Sequence, residues 1–231
     1  MDLPVPRPDR RTDTLVFDLD GTLVDSLADL GAAINRLLST EARPPLSLAR
    51  IRGFIGDGVP KLLARSLSAA GLSPSEDAFE ALLARYTADY EARAAELTRP
   101  YPGVAELLPA LAERGWRLAV CTNKPQAATL HVLKALGLAR NIAVVAGGDR
   151  YPHRKPDPRH PMSAVAEAAS APARAVMIGD GPQDLAAGEA AGMRRIAALY
   201  GYGGLTRENI GEISALNAFT DLPAVLELAM R

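Results

Sequence analysis

Five short apolar segments separated by helical patterns constrain the fold of this chain more than any other feature. They lie at residues 15–17, 118–120, 142–145, 175–178 and 196–199. Between the first two, apolar residues at 104, 107, 108 and 111 form one stripe of a helix. Strands that alternate with helices are typical of a parallel sheet covered on both faces. We therefore predict an α/β protein with a Rossmann-like parallel sheet core.

One long stretch interrupts this alternation. From residue 27 to residue 97 only helical patterns occur, for example the apolar spacing of 79, 82, 83 and 86. The stretch is long enough to be a small domain. We predict a flexible tail at 1–13, an α/β core at 14–26 and 98–231, and an inserted helical cap domain at 27–97.

Composition and charge exclude several classes of function. The formal net charge of the 231 residues is -1 and no long basic run occurs, which argues against a nucleic-acid partner. No apolar block is long enough for a signal peptide or a membrane span. Cys121 is the only cysteine, so an intramolecular disulfide is impossible. We expect a cytoplasmic protein without a membrane partner, either a monomer or a homodimer.

Acidic and hydroxyl side chains follow the ends of three predicted strands. Asp18 and Asp20 follow the first strand, Thr122 follows the second, and Asp180 and Asp184 follow the fourth. Ligands of open parallel sheets bind beyond these carboxyl ends. Because clustered carboxylates repel unless a cation joins them, and because all the ligands are oxygens, we predict a Mg²⁺ site there.

Four motifs in this order resemble those of the haloacid dehalogenase superfamily. They are DLDGT at 18–22, Thr122, Lys155 with the proline after it, and GDxxxD at 179–184. The resemblance covers nearly everything from residue 14 onward. Gly181 and Pro182 depart from the family pattern, which usually has Ser, Thr or Asn at the position of Gly181. The resemblance implies a Mg²⁺-dependent phosphatase that forms an aspartyl phosphate.

The resemblance also implies roles for individual residues. Asp18 is the expected nucleophile, and Asp20 is the expected general acid and base. Lys155 is expected to neutralise the phosphate and the nucleophile together. The expected phosphate ligands are Gly21 (through nearby main-chain amides), Thr122, Asn123 and Lys155. The expected metal ligands are Asp18, Asp20 (through its main-chain carbonyl) and Asp180, with Asp184 one shell further out.

A glycine-rich loop in the helical insert is similar to the cap loop of phosphoglycolate phosphatases. It contains Arg52, Gly56 and Gly58. Arg52 is the candidate for binding a substrate carboxylate through its guanidinium group. The favoured partner is therefore a small phosphorylated metabolite, 2-phosphoglycolate. Four alternatives stay open: a sugar-phosphate phosphatase, a phosphosugar mutase, a pyrophosphatase of the same fold, and a non-enzymatic relative that binds phosphorylated metabolites.

Overall fold

The computed structural model describes residues 5–229 of the chain, and a six-stranded parallel sheet forms its centre. The order of the strands across this sheet is β5-β4-β1-β6-β7-β8. The middle strands are covered on both faces, and all four residues of β1 are fully buried. The six strands are β1 (Thr14–Phe17), β4 (Arg117–Cys121), β5 (Val144–Ala146), β6 (Ala175–Gly179), β7 (Arg194–Ala198) and β8 (Ser214–Leu216). The predicted α/β core is confirmed, and β8 is a strand that the apolar pattern did not predict.

In the described part of the core, six helices lie between or after these strands and shield the sheet from solvent. Among the residues that the structure describes, no helix is both long and apolar enough to cross a membrane. The core helices are α5 (Val104–Glu113), α6 (Gln126–Ala135), α7 (Arg159–Glu167), α8 (Pro182–Ala190), α9 (Arg207–Ile210) and α10 (Leu222–Ala229).

Four further helices form the predicted insert after the first strand. They are α1 (Leu27–Thr40), α2 (Leu48–Arg52), α3 (Val59–Ala69) and α4 (Glu76–Arg93). The inner face of α4 carries Tyr86 and Tyr90, which are almost completely buried and stack with ring centroids 5.9 Å apart. The chain enters and leaves the insert through an antiparallel pair, β2 (Val24–Asp25) with β3 (Arg99–Pro100). This pair was not predicted, because two residues are too few to show an alternating pattern.

A buried carboxylate ties the two ends of the insert together. Asp29, in the first turn of α1, is only 4% exposed. It accepts hydrogen bonds from the main-chain N–H of Leu97 at 3.0 Å and of Thr98 at 2.8 Å, and from the Thr98 hydroxyl at 2.6 Å. The insert therefore begins and ends at one hydrogen-bonded point.

This arrangement predicts a large stability effect for Asp29→Ala. The variant leaves the N–H groups of Leu97 and Thr98 without this acceptor, while the Thr98 hydroxyl keeps the carbonyl of Ala94. We therefore expect the free energy of unfolding to fall by about 2–3 kcal/mol. Urea unfolding followed by circular dichroism measures the change. Glu80→Ala, at an exposed position on α4, is the control and should stay within about 0.5 kcal/mol of the wild type. A loss for Asp29→Ala as small as that of the control would contradict the proposed anchoring.

The N-terminal segment differs from the flexible tail that was predicted at 1–13. Residues 1–4 of that prediction lie outside the described residues. From Val5 onward the segment packs on the core: Val5 is 4% exposed, and the carbonyl of Pro6 accepts a 2.7 Å hydrogen bond from Trp116 Nε1. Asp13, at the end of the segment, forms ion pairs with Arg117 and Arg174. The apolar contact and these polar contacts hold the segment against the sheet.

Candidate active site

The candidate site lies at the carboxyl ends of the three middle strands. Phe17 at the end of β1 is paired in register with Val120 of β4 and with Ile178 of β6. Because these parallel strands are in register, the residues that follow them, Asp18, Thr122 and Asp180, meet at one edge of the sheet. This confirms that strand ends predicted from the sequence converge in space.

Lys155 lies between two carboxylates at this edge. Its Nζ is 2.7 Å from Asp18 Oδ1 and 2.5 Å from Asp184 Oδ1, and all three side chains are buried. Burial alone lowers the pKa of Lys155, but Asp18 and Asp184 outweigh burial and raise it. Burial raises the pKa of Asp184 to about 6, although Lys155 acts in the opposite direction. Lys155 therefore provides a fixed positive charge beside Asp18.

Asp180 is held by the main chain after β7. Its Oδ2 accepts from the N–H of Tyr202 at 2.9 Å and of Gly203 at 2.8 Å. Burial raises the pKa of Asp180 well above its usual range, and the nearby charges of Asp18 and Asp184 add to the effect. Gly21 permits this close approach, because a Cβ there would lie 2.1 Å from Asp180 Oδ2 and the φ of Gly21 is +88°.

The three carboxylates fit a divalent cation. Asp18, Asp180 and Asp184 each offer an oxygen, and these atoms lie within 4.8 Å of one another. Burial first, and the charges of Asp18 and Asp184 second, raise the pKa of Asp180, so a cation among these carboxylates would favour their ionised forms. Oxygen ligands suit Mg²⁺ rather than zinc.

The departure from the family pattern at Gly181 and Pro182 leaves Asp180 and Asp184 in place. Helix α8 begins at Pro182, and the N–H of Gly181 donates to Asp184 Oδ2 at 2.9 Å.

Asp20 does not belong to this carboxylate cluster; it lies beside Lys124. Lys124 Nζ donates to Asp20 Oδ1 at 2.9 Å and to Oδ2 at 3.1 Å, and the Ser26 hydroxyl donates to Oδ1 at 2.6 Å. Lys124 also donates to the hydroxyl of Tyr90 on α4. The sequence analysis gave Lys124 no role; its position directly after Thr122 and Asn123 places it at a strand end but does not indicate that it is buried.

Thr122 and Asn123 occupy the site in different ways. The Thr122 hydroxyl accepts from the N–H of Lys124 at 3.3 Å and lines the pocket, so its proton can be donated to a bound anion. Asn123 Nδ2 instead donates to the carbonyls of Gly56 at 3.1 Å and Lys155 at 2.9 Å. The side chain of Asn123 thus joins two loops, in contrast to the predicted contact with phosphate. The N–H of Gly21 is likewise engaged, by the carbonyl of Val24 at 2.8 Å.

The structure does not bring Arg52 into the pocket, in contrast to the prediction. Arg52 is exposed, and its Nη2 donates to the carbonyl of Gly201 on the core at 2.8 Å. The reason is that α2 ends at Arg52 and the chain then turns, so that Gly56 and Gly58 face the core. Gly58 has a φ of +91°, and a Cβ at this position would lie 3.4 Å from the carbonyl oxygen of Asn123.

A small pocket lies between the insert and the edge of the sheet. Its volume is about 40 Å³, room for a few water molecules. From the core it is lined by Asp18, Asp20, Thr122, Asn123 and Lys124, and from the insert by Leu30, Ile55, Gly56, Gly58, Val59, Leu62 and Tyr90. One wall is therefore polar and charged, and the other is mostly apolar.

Comparison with known proteins agrees with this architecture. The family model described as "Haloacid dehalogenase-like hydrolase" matches residues 15–198. A phosphoglycolate phosphatase of Cereibacter sphaeroides is 44% identical over 188 residues, which cover 81% of this chain and 85% of that protein. A phosphoglycolate phosphatase of Rhodospirillum rubrum is 41% identical over 216 residues, covering 91% and 88%. The crystal structure of a predicted phosphoglycolate phosphatase from Haemophilus somnus superposes with a TM-score of 0.86 at 29% identity, covering 95% and 98%.

Proposed function

Because the chain belongs to the haloacid dehalogenase-like hydrolase family and is a phosphatase of the phosphoglycolate phosphatase-like subfamily, we propose that it hydrolyses 2-phosphoglycolate through an aspartyl phosphate on Asp18, with Mg²⁺. One observation carries this proposal. Asp18 lines the pocket while Lys155, Asp180 and Asp184 surround it from the protein side. The acidic cluster and the fixed cation thus lie where a phosphate in the pocket would meet Asp18.

In the first half of the proposed reaction, a carboxylate oxygen of Asp18 attacks phosphorus. The bond between Asp18 and phosphorus forms while the bond from phosphorus to the bridging oxygen of the substrate breaks. Asp20 gives its proton to that oxygen, and glycolate leaves as the alcohol. The side chain of Asp20 suits this role because it lines the same pocket as Asp18 and is not one of the three clustered carboxylates.

In the second half, water attacks the aspartyl phosphate. Asp20, now ionised, takes a proton from the water, and the bond between Asp18 and phosphorus breaks to release inorganic phosphate. The carboxylate of Asp18 and the proton on Asp20 are then restored, so the enzyme ends the cycle unchanged.

Several groups stabilise the charge that the phosphoryl group carries during transfer. Lys155 Nζ lies 2.7 Å from Asp18 Oδ1 and is therefore placed to contact a phosphoryl group on Asp18. Thr122 supplies a hydroxyl, and main-chain amides of the loop after Asp18 are further proposed donors. Asp18, Asp180 and the main-chain carbonyl of Asp20 would hold the Mg²⁺, with Asp184 orienting the site. When bound, the ion would offset negative charge on the phosphoryl oxygens.

The helical insert is proposed to act as a cap domain over residues 27–97, with the core at 14–26 and 98–231. Its loop contacts the core through the bond from Asn123 to Gly56, and α4 contacts it through Tyr90 and Lys124. Closure of such a cap excludes bulk water from the reacting phosphate. Because the pocket under the cap is small, about 40 Å³, a short substrate needs less opening of the cap than a sugar phosphate. The single buried cysteine suits a reducing compartment, and we place the enzyme in the cytoplasm.

A phosphate-release screen tests the proposed substrate. We expect Mg²⁺-dependent release from 2-phosphoglycolate with a kcat/KM at least about 100-fold above that for hexose phosphates, because one or two specific contacts of a charged group have that effect. Pyrophosphate and a hexose bisphosphate belong in the same panel. A preference for a sugar phosphate or pyrophosphate would replace phosphoglycolate as the substrate, and no release from any compound would remove the phosphatase assignment.

A further inference from the structure

Lys124 has contacts that neither the motifs nor the proposed chemistry explain. It is 5% exposed and is the one cationic side chain among the described residues that line the pocket. Its Nζ contacts both oxygens of Asp20 and also the hydroxyl of Tyr90, and lies 4.7 Å from the centre of the Tyr90 ring. Burying a lysine costs free energy unless an opposite charge is close to it, so the burial of Lys124 needs an explanation.

The ion pair with Asp20 does not by itself explain the burial of Lys124. Ser26 and Lys124 together occupy both carboxylate oxygens of Asp20. To protonate a leaving group, Asp20 has to turn one oxygen toward the substrate and give up one of these contacts. The pairing of the buried ammonium with Asp20 is then weakened, and an anion of the substrate can take the place of the lost contact.

Resting on the proposed function, we propose that Lys124 is the specificity-determining residue that binds the carboxylate of the substrate. In 2-phosphoglycolate a single methylene joins the bridging oxygen to the carboxyl carbon. Asp20 acts at that bridging oxygen, and Lys124 Nζ lies only 2.9 Å from Asp20 Oδ1. The substrate carboxylate, so close to the bridging oxygen, is therefore within reach of Lys124. Lys124 replaces a contact with Asp20 by a contact with this carboxylate.

The neighbouring charges support Lys124 over the other cations. Lys155 is already shared between Asp18 and Asp184, and Arg52 lies outside the pocket with its guanidinium on the carbonyl of Gly201. Tyr90 provides a second donor from the cap. Burial raises the pKa of Tyr90 well above its usual range, and Asp20 adds to the effect, so its hydroxyl stays protonated at neutral pH. A hydrogen bond from the Tyr90 hydroxyl to the substrate carboxylate would couple binding of the carboxylate to closure of the cap.

Two substrates that differ only in the charged end test this inference. 2-Hydroxyethyl phosphate replaces the carboxylate of 2-phosphoglycolate by an uncharged hydroxymethyl group. In Lys124→Met we expect the ratio of kcat/KM for phosphoglycolate to kcat/KM for hydroxyethyl phosphate to fall by about 10- to 100-fold, the effect of one charge-assisted hydrogen bond. Lys124→Arg should keep much of the ratio. Lys134→Met, which removes an exposed lysine of α6, should leave it unchanged.

A binding measurement separates this inference from the proposed reaction. Calorimetry with 3-phosphonopropionate and with propylphosphonate compares unreactive ligands with and without the carboxylate. The wild type and Lys134→Met should prefer the carboxylated ligand, and Lys124→Met should lose that preference. Lys124→Gln, which retains hydrogen bonding without charge, replaces the methionine variant if the latter does not fold.

The outcomes are distinct. If the wild type prefers the carboxylated ligand and the Lys124 variants keep the preference, the role of Lys124 is wrong while the proposed function stands. If the wild type shows no preference in binding or turnover, the role of Lys124 is also wrong. Absence of turnover together with a preference that depends on Lys124 would contradict only the proposed reaction.

Discussion

Replacing Asp18 by asparagine is expected to lower kcat by about 10⁴-fold or more while the protein stays folded. The amide has the shape of the carboxylate but cannot attack phosphorus, and removal of one member of a covalent catalytic unit has effects of this size. Asp184 remains to neutralise Lys155, so the buried ammonium is not left alone. Initial rates of phosphate release with phosphoglycolate and with an aryl phosphate measure the loss.

The matched control for this variant is Asp25→Asn. Asp25 belongs to the same stretch of chain but is exposed, and its contact with the N–H of Leu27 survives the change. We expect Asp25→Asn to retain wild-type rates and both variants to show one cooperative melting transition. A folded Asp18→Asn protein with more than a few per cent of wild-type activity would remove Asp18 from the role of nucleophile.

Asp180→Asn is expected to raise the Mg²⁺ concentration for half-maximal activity by at least about 100-fold. Changes to residues that only orient metal ligands cost 10- to 100-fold in affinity, and a direct ligand should cost more. In the wild type, excess chelator should abolish phosphate release and added Mg²⁺ should restore it. Ca²⁺ should support turnover poorly, because its larger and looser coordination shell does not impose octahedral geometry.

Thermal unfolding gives the same prediction a readout that needs no activity. Mg²⁺ binds only the folded site, so it should raise the melting temperature of the wild type. It should raise that of Asp77→Asn equally, because Asp77 is exposed on α4 far along the chain from the cluster. In chelator, Asp180→Asn should melt no lower than the wild type, since the variant removes a carboxylate whose ionised form is disfavoured by burial first and by Asp18 and Asp184 second. An undiminished Mg²⁺ response in Asp180→Asn would show that the ion binds elsewhere.

The convergence of the strand ends could be predicted from the sequence because it follows from topology. Once the apolar runs are recognised as parallel strands, Asp18, Thr122 and Asp180 have to meet at one edge. The insert was also predictable, since seventy residues of helical periodicity cannot belong to a strand-helix alternation. These features depend on the order of elements along the chain and not on the details of packing.

Features that depend on side-chain packing were missed or placed wrongly. Arg52 ends a helix of five residues, and the direction of so short an element is set by its neighbours. Lys124 was passed over because a lysine after a strand end has the same local pattern as a solvated loop lysine. Its burial arises from α4, whose Tyr90 comes from a distant part of the sequence. The segment at 5–13 carries prolines and charges, so the burial of Val5 against the core left no pattern to detect.

Transfer of labelled phosphate to the enzyme tests the central proposal most directly. Excess enzyme with Mg²⁺ is mixed with [³²P]phosphoglycolate, quenched in acid within milliseconds, digested and sequenced by mass spectrometry. We expect label on the peptide that contains Asp18, released by hydroxylamine as for an acyl phosphate, and none in Asp18→Asn. Phosphate release by the wild type with no transient label, or with label on another residue, would contradict an aspartyl phosphate on Asp18.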